Sequence, residues 1–91
     1  MGATTFVEVM QGYDSPTDAY QEARYQGIYE YGHNPYNGTI STTEGYQYLG
    51  EIPEKDLEEF IDNNIDNFHK WGPCGCVKSD DKYIFFGWAA I

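Results

Sequence analysis

The chain has 91 residues, with 15 Asp and Glu against 5 Lys and Arg, and a formal net charge of −10 at pH 7. That length suits a single domain over residues 1–91, and the acidic excess argues against direct contact with nucleic-acid phosphates or anionic membranes, both of which need clustered Lys or Arg. Disorder is disfavoured too, because 41% hydrophobic and 18% aromatic residues supply the apolar groups that a disordered acidic chain lacks.

Residues 4–10 alternate loosely and are β-branched, which predicts a first strand packing Phe6, with Val7 and Val9 as further packing positions. Ser15-Pro16-Thr17-Asp18 is a helix start, with a capping hydroxyl, proline at the first helical position and an acid in the first turn. Ala19, Ala23, Gly27 and Tyr31 then recur at helical spacing. Small residues dominate this stripe, which lets the helix lie close on a sheet, with Tyr20 and Ile28 widening the apolar face and Gly32 ending it.

Asn34-Pro35 and Asn37-Gly38 are turn signals, and residues 39–42 read as a short strand. Residues 46–50 alternate as another, packing Tyr46, Tyr48 and Leu49. A second helix opens at Pro53 or Glu54 and carries Leu57, Phe60, Ile61, Asn64, Ile65 and Phe68 on one face. His69 and Lys70 fall in its expected last turn, where the macrodipole favours cations, and Gly72-Pro73 stops it. Residues 74–78 and 82–88 form a hairpin around Ser79-Asp80-Asp81, and the nearly all-apolar second arm should be central. The order β-α-β-β-α-β-β predicts an α+β fold: a two-layer sandwich with a mainly antiparallel four- to five-stranded sheet and both helices on one face. A ferredoxin-like order is one arrangement within it.

The strongest chemical feature is acidic. Glu54, Glu58, Asp62 and Asp66 recur every four residues opposite the apolar face of the second helix, with Glu51, Asp56 and Glu59 beside them. Like charges at that spacing cost about 0.2–0.5 kcal/mol per pair, so the row does not serve helix stability. Four residues rise about 6 Å, close to two phosphate steps of about 3.4 Å along one DNA strand. A surface of Glu51, Glu54, Glu58, Glu59, Asp62 and Asp66 therefore suits a host protein with a basic groove, by mimicking nucleic acid. The plainer reading is a solvated, solubilising face.

The nine tyrosines suggest a second site. Tyr25, Tyr29, Tyr31, Tyr36, Tyr46 and Tyr48 flank the irregular stretch, and Tyr36, Asn37, Gly38, Thr39, Ser41 and Thr42 could wrap a nucleotide by stacking and backbone N–H contacts. Net negative charge opposes an anionic ligand unless Arg24, Lys70 or Lys78 lines the pocket, and the plainer alternative is that the rings complete a small core. Such a pocket could also form between the subunits of a homodimer. His33, His69, Cys74 and Cys76 match no standard zinc spacing, so neither a metal nor a cofactor is expected. No nucleophile elbow, phosphate loop or metalloprotease motif occurs, which makes a binding protein the expectation rather than an enzyme.

No apolar run reaches membrane-spanning length, and the N-terminus has no basic stretch followed by an apolar block. A cytoplasmic location is expected, and Asn37-Gly38-Thr39 then reads as a turn rather than a glycosylation acceptor. At Tyr36-x-Gly38-Thr39-Ile40, Lys70-Trp71-Gly72-Pro73 and Phe85-Phe86-Gly87-Trp88-Ala89, the chain resembles a group of small phage and prophage proteins, over nearly its whole length. It departs from them at Cys74-Gly75-Cys76. The resemblance implies a viral setting, and with it an inhibitor of a host defence factor such as a CRISPR effector or restriction enzyme.

Overall fold

A computed structural model describes residues 2–31 and 38–91 of the chain, with Tyr31 described by its backbone alone. The elements are β1 (Ala3–Gln11), α1 (Pro16–Tyr31), β2 (Tyr46–Glu51), α2 (Leu57–Asn64), β3 (Cys74–Ser79) and β4 (Lys82–Ala90). Short 3₁₀ turns occupy Ile40–Thr42, Glu54–Asp56 and Ile65–Asn67. No helix among the described residues is long and apolar enough to cross a membrane.

The sheet has four strands in the order β1-β4-β3-β2. β4 is central, antiparallel to β1 over Ala3↔Ala90 to Gln11↔Lys82 and antiparallel to β3 from Gly75↔Phe86 to Ser79↔Lys82. β2 runs parallel to β3. The fold is thus α+β with a mainly antiparallel sheet, and the edge positions fall to β1 and β2.

The helices lie on opposite faces, which corrects the two-layer expectation. Alternate residues of β4 separate the cores: Tyr83 and Phe85 pack with Ala19, Tyr20 and Ala23 of α1, whereas Ile84 and Phe86 pack with Leu57, Phe60 and Ile61 of α2. The reason is topological. The pairings make β1, β2 and β3 mutually parallel. The chain crosses the sheet from β1 to the far edge through α1, then returns to β3 through α2. Two crossovers of the same hand that travel in opposite directions must use opposite faces. This strand order is also not the ferredoxin-like one.

Local chemistry accounts for the elements. Ser15 caps α1, its Oγ accepting the Asp18 N–H at 3.2 Å and its carbonyl the Ala19 N–H at 3.2 Å. Ala19, Ala23 and Gly27 are buried, and a Cβ on Gly27 would stand 2.8 Å from Thr39 Oγ1. The helix therefore presses directly on the 39–42 segment. That segment is a 3₁₀ turn rather than the expected strand, because its hydroxyls fold the backbone on itself. Thr39 Oγ1 accepts the Ser41 N–H at 3.2 Å, while the Thr42 and Thr43 hydroxyls donate to Thr39 O at 3.0 Å and Ile40 O at 2.6 Å. Such side-chain bonds compete with ladder pairing.

Three further expectations need correction. Regular α-helix covers only Leu57–Asn64, and Phe68 is already extended. His69 and Lys70 consequently lie beyond the helix, and Gly72-Pro73 does not stop it. Asn64 contributes to the early end, since its Nδ2 donates to Phe60 O at 2.8 Å. Tyr48 is exposed on the edge strand β2, and Val7 and Val9 of β1 are half-exposed rather than packed.

Candidate functional site

The acidic residues begin with the geometry of α2. Of the four-residue row, only Glu58 and Asp62 stand on regular α-helix; Glu54 and Asp66 stand on the 3₁₀ turns at either end. A 3₁₀ turn has three residues per turn, which swings those two side chains out of line. The straight row of four carboxylates is therefore corrected to a pair with outliers. Glu58 and Asp62 flank the side of α2 facing β1, where they border Val7, Val9, Leu57, Ile61 and Ile84. Asp56 and Glu59 border Phe60 and Asn63 on another flank. Asp66 adjoins Ala3, Phe68, His69, Lys70 and Trp88 near the start of β1. Glu51 ends β2 and is exposed.

Charge compensation across this surface is sparse. Lys82 Nζ lies 3.4 Å from Glu54 Oε1. Among the described residues no other ion pair forms, so Glu58, Glu59, Asp62 and Asp66 face solvent without a cationic partner.

The tyrosine-rich region divides instead of converging. Tyr20 is buried and Tyr46 partly so; their ring centroids are 5.2 Å apart, and both rings meet Phe85. Tyr25 and Tyr29 stack on the outer face of α1, 62% and 80% exposed. Within the proposed nucleotide site, Gly38, Thr39, Ser41 and Thr42 are described, whereas Tyr36 and Asn37 lie outside the described residues, as do His33 and Asn34. The hydroxyls that are described work internally: Thr39 Oγ1 and Ser41 Oγ are 2.8 Å apart, and Thr42 Oγ1 accepts the Ala90 N–H at 3.2 Å. Arg24 braces the same segment, donating from a terminal guanidinium nitrogen to Ser41 O at 3.2 Å and lying over the Tyr20 ring. The first of these bonds folds the segment on itself, and the other two tie it to β4 and α1.

Cys74 and Cys76 share the α1 face of β3 and are fully buried. Burial is the largest cause pushing both thiols up to about 12, with Cys76 adding to the effect on Cys74. Neither is a ready thiolate at neutral pH. His69 is exposed, whereas both cysteines are buried. Among the described residues no group of three His, Cys, Asp or Glu side chains is placed to hold a metal ion.

One carboxylate is perturbed. Glu8 points from β1 towards α1, bordering Gln26, Gly27 and Glu30. Desolvation, then the nearby Glu30 charge, raises its pKa above the ordinary value of 4.5. The folded state therefore holds this proton to a higher pH than the unfolded chain does, so stability is lost as pH rises from the unfolded pKa through the folded one. Glu8→Gln should raise the thermal midpoint slightly at about pH 7 and leave it unchanged at about pH 3.5, where Glu8 is protonated in both states. Paired melting curves at the two pH values test this; equal shifts at both would remove the electrostatic explanation.

Sequence reasoning found the apolar face of α2 but missed the groove that it forms with β1. The groove floored by Val7, Val9 and Ile84 and walled by Leu57 and Ile61 joins residues from opposite ends of the chain. The available signal was an apolar residue at both alternating sets of β1, Phe6 and Met10 on one face and Val7 and Val9 on the other, when one helix covers only one face. Comparison of the chain with protein-family models, curated proteins and solved structures finds no match.

Proposed function

We propose that the chain is a non-enzymatic binding protein that docks on a basic protein surface through the α2 side of its sheet, and that it acts as a phage-type inhibitor of a host nucleic-acid-binding defence factor. The observation carrying this reading is the set of uncompensated carboxylates on and beside α2, Glu58, Glu59, Asp62 and Asp66, facing solvent around a short helix. Like-charged neighbours are retained there at some cost to the helix. Charges of one sign on a binding surface accelerate encounter with an oppositely charged partner and make it sensitive to salt. Glu51 and Glu54 extend the acidic surface towards β2, although Glu54 is shared with Lys82.

The test is affinity capture from host lysate with the natural chain and with Glu54→Lys/Glu58→Lys/Asp62→Lys in parallel. A basic, nucleic-acid-binding protein should be retained by the first, released by salt, and bound at least about tenfold more weakly by the second. The neutral variant Glu58→Gln/Asp62→Asn should weaken binding while melting no earlier than the natural chain, because it relieves a like-charge pair. Undiminished binding by the reversed variant would defeat the reading. Nucleotides extracted from the recovered chain would favour capture of a small ligand near Gly38 to Thr42 instead.

A further inference from the structure

β1 is an edge strand of nine residues (Ala3–Gln11), hydrogen-bonded to β4 alone. Among the described residues the backbone N–H and C=O groups of its other edge have no partner, and folded proteins usually blunt such an edge with proline, charged side chains (lysine above all), a bulge or a covering segment. Among the described residues no bulge or covering segment protects β1. Its sequence, Ala-Thr-Thr-Phe-Val-Glu-Val-Met-Gln, has no proline or lysine, and its register with β4 is continuous. Its one charged residue, Glu8, points to the α1 face.

The opposite face of the same strand carries an apolar, half-exposed pair. Val7 and Val9 are 51% and 55% exposed. They floor a groove of about 340 Å³ whose wall is Leu57 and Ile61 and whose rim is Glu58 and Asp62. An edge ready to pair, an apolar floor and an acidic rim therefore coincide at one place.

We propose that this edge takes an extended, basic segment of a partner protein as a fifth strand. Strand addition supplies affinity through main-chain hydrogen bonds and selectivity through alternate side chains. On the α2 face of the added strand, aliphatic side chains would lie against Val7 and Val9, and Lys or Arg would reach Glu58 and Asp62. The charge decides between occupants. A second copy would bring its own Glu58 and Asp62 to the same groove and a further net charge of −10, whereas a cationic strand neutralises the rim. The inference rests on the acidic-surface reading and narrows it to one edge.

The probe is the peptide Lys-Thr-Val-Thr-Lys-Thr-Val-Thr-Lys, capped at both ends and titrated into isotope-labelled full-length protein. Backbone resonances of residues 5–9 and methyl resonances of Leu57 and Ile61 should shift, with affinity falling as salt rises. Replacing the peptide's lysines by Glu, or its valines by Gly, should weaken binding about tenfold or more. So should Glu58→Gln/Asp62→Asn or Val7→Thr/Val9→Thr in the protein, both of which keep strand and helix propensities close to the original. Of two peptides N-methylated at alternate backbone amides, one should lose binding and the other keep it, because only one set faces β1. Equal binding by both methylated peptides would overturn strand addition. Shifts confined to Asp56, Glu59 and Asp66 would also overturn it while leaving the acidic-surface reading standing. Loss of lysate capture after charge reversal, with no peptide binding at β1, separates the two in the same way. Self-association that moves the β1 resonances without peptide would identify a second copy as the occupant and overturn the basic partner.

Discussion

Replacing Phe86 by Ala is expected to remove about 3–5 kcal/mol of stability, a large share of the roughly 5–15 kcal/mol that holds a typical domain folded. Phe86 is fully buried in the central strand. Its ring meets Phe60 of α2 and Phe68 edge-on, at centroid distances of 6.5 and 5.6 Å and interplanar angles of 88° and 89°. Such aromatic pairs add about 0.5–1.5 kcal/mol beyond their buried area. The residue facing Phe86 on β3 is Gly75, which has no side chain to relax into the vacated space, so the cavity should persist. Phe86 is also the ring on which α2 rests. Urea unfolding should give the loss in stability, and amide exchange should show α2 opening before α1. The milder Phe86→Leu keeps part of the contact and should cost well under half as much. A loss below about 1 kcal/mol for Phe86→Ala would mean that α2 is not anchored through this ring.

That anchoring explains which parts of the fold could be read from sequence. β1, the Ser15 cap, the start of α1 and the β3–β4 hairpin rest on interactions between near neighbours: alternation, a capping hydroxyl and a two-residue turn in which Asp80 adopts a φ of 54°. The face chosen by α2 rests on none of these. It follows from strand order, which is settled only when β2 pairs with β3 at the far side of the sheet. The same dependence hid the groove. Both alternating sets of β1 carry apolar residues, and which set stays uncovered depends on α2 sitting over Val77, Ile84 and Phe86. The acidity of α2 was plain as composition, but its arrangement was not. The hydrogen bond from Asn64 to the Phe60 carbonyl and the 3₁₀ turns at both ends shorten the regular helix and fan the carboxylates around it. In 39–42, threonine's β propensity lost to hydroxyl–backbone bonds that close a turn.

Gly75→Ala carries the second large effect, and its sign runs against intrinsic preference. In an unconstrained strand, Ala in place of Gly gains roughly 0.5–1 kcal/mol by restricting the unfolded chain. At Gly75 a Cβ would stand 2.6 Å from Phe86 Cζ and 2.9 Å from Phe68 Cε2. Both rings belong to the tightly packed core beneath α2, so neither can swing into solvent to make room. Overpacking of this kind costs about 1–3 kcal/mol, occasionally more. Because Gly75 has no positive φ, the whole cost should be steric, which a second substitution can isolate. Gly75→Ala/Phe86→Leu removes the nearest clashing atom, so it should be more stable than the two single losses added together, by a coupling of about 0.5–3 kcal/mol. Simple additivity in denaturant unfolding would show that the two sites do not compete for the same space. If the double variant recovers stability, its binding of the Lys/Val peptide reports on the α2 groove with an altered core beneath it. Retained binding would then place recognition in Val7, Val9, Glu58 and Asp62 rather than in the packing that supports them.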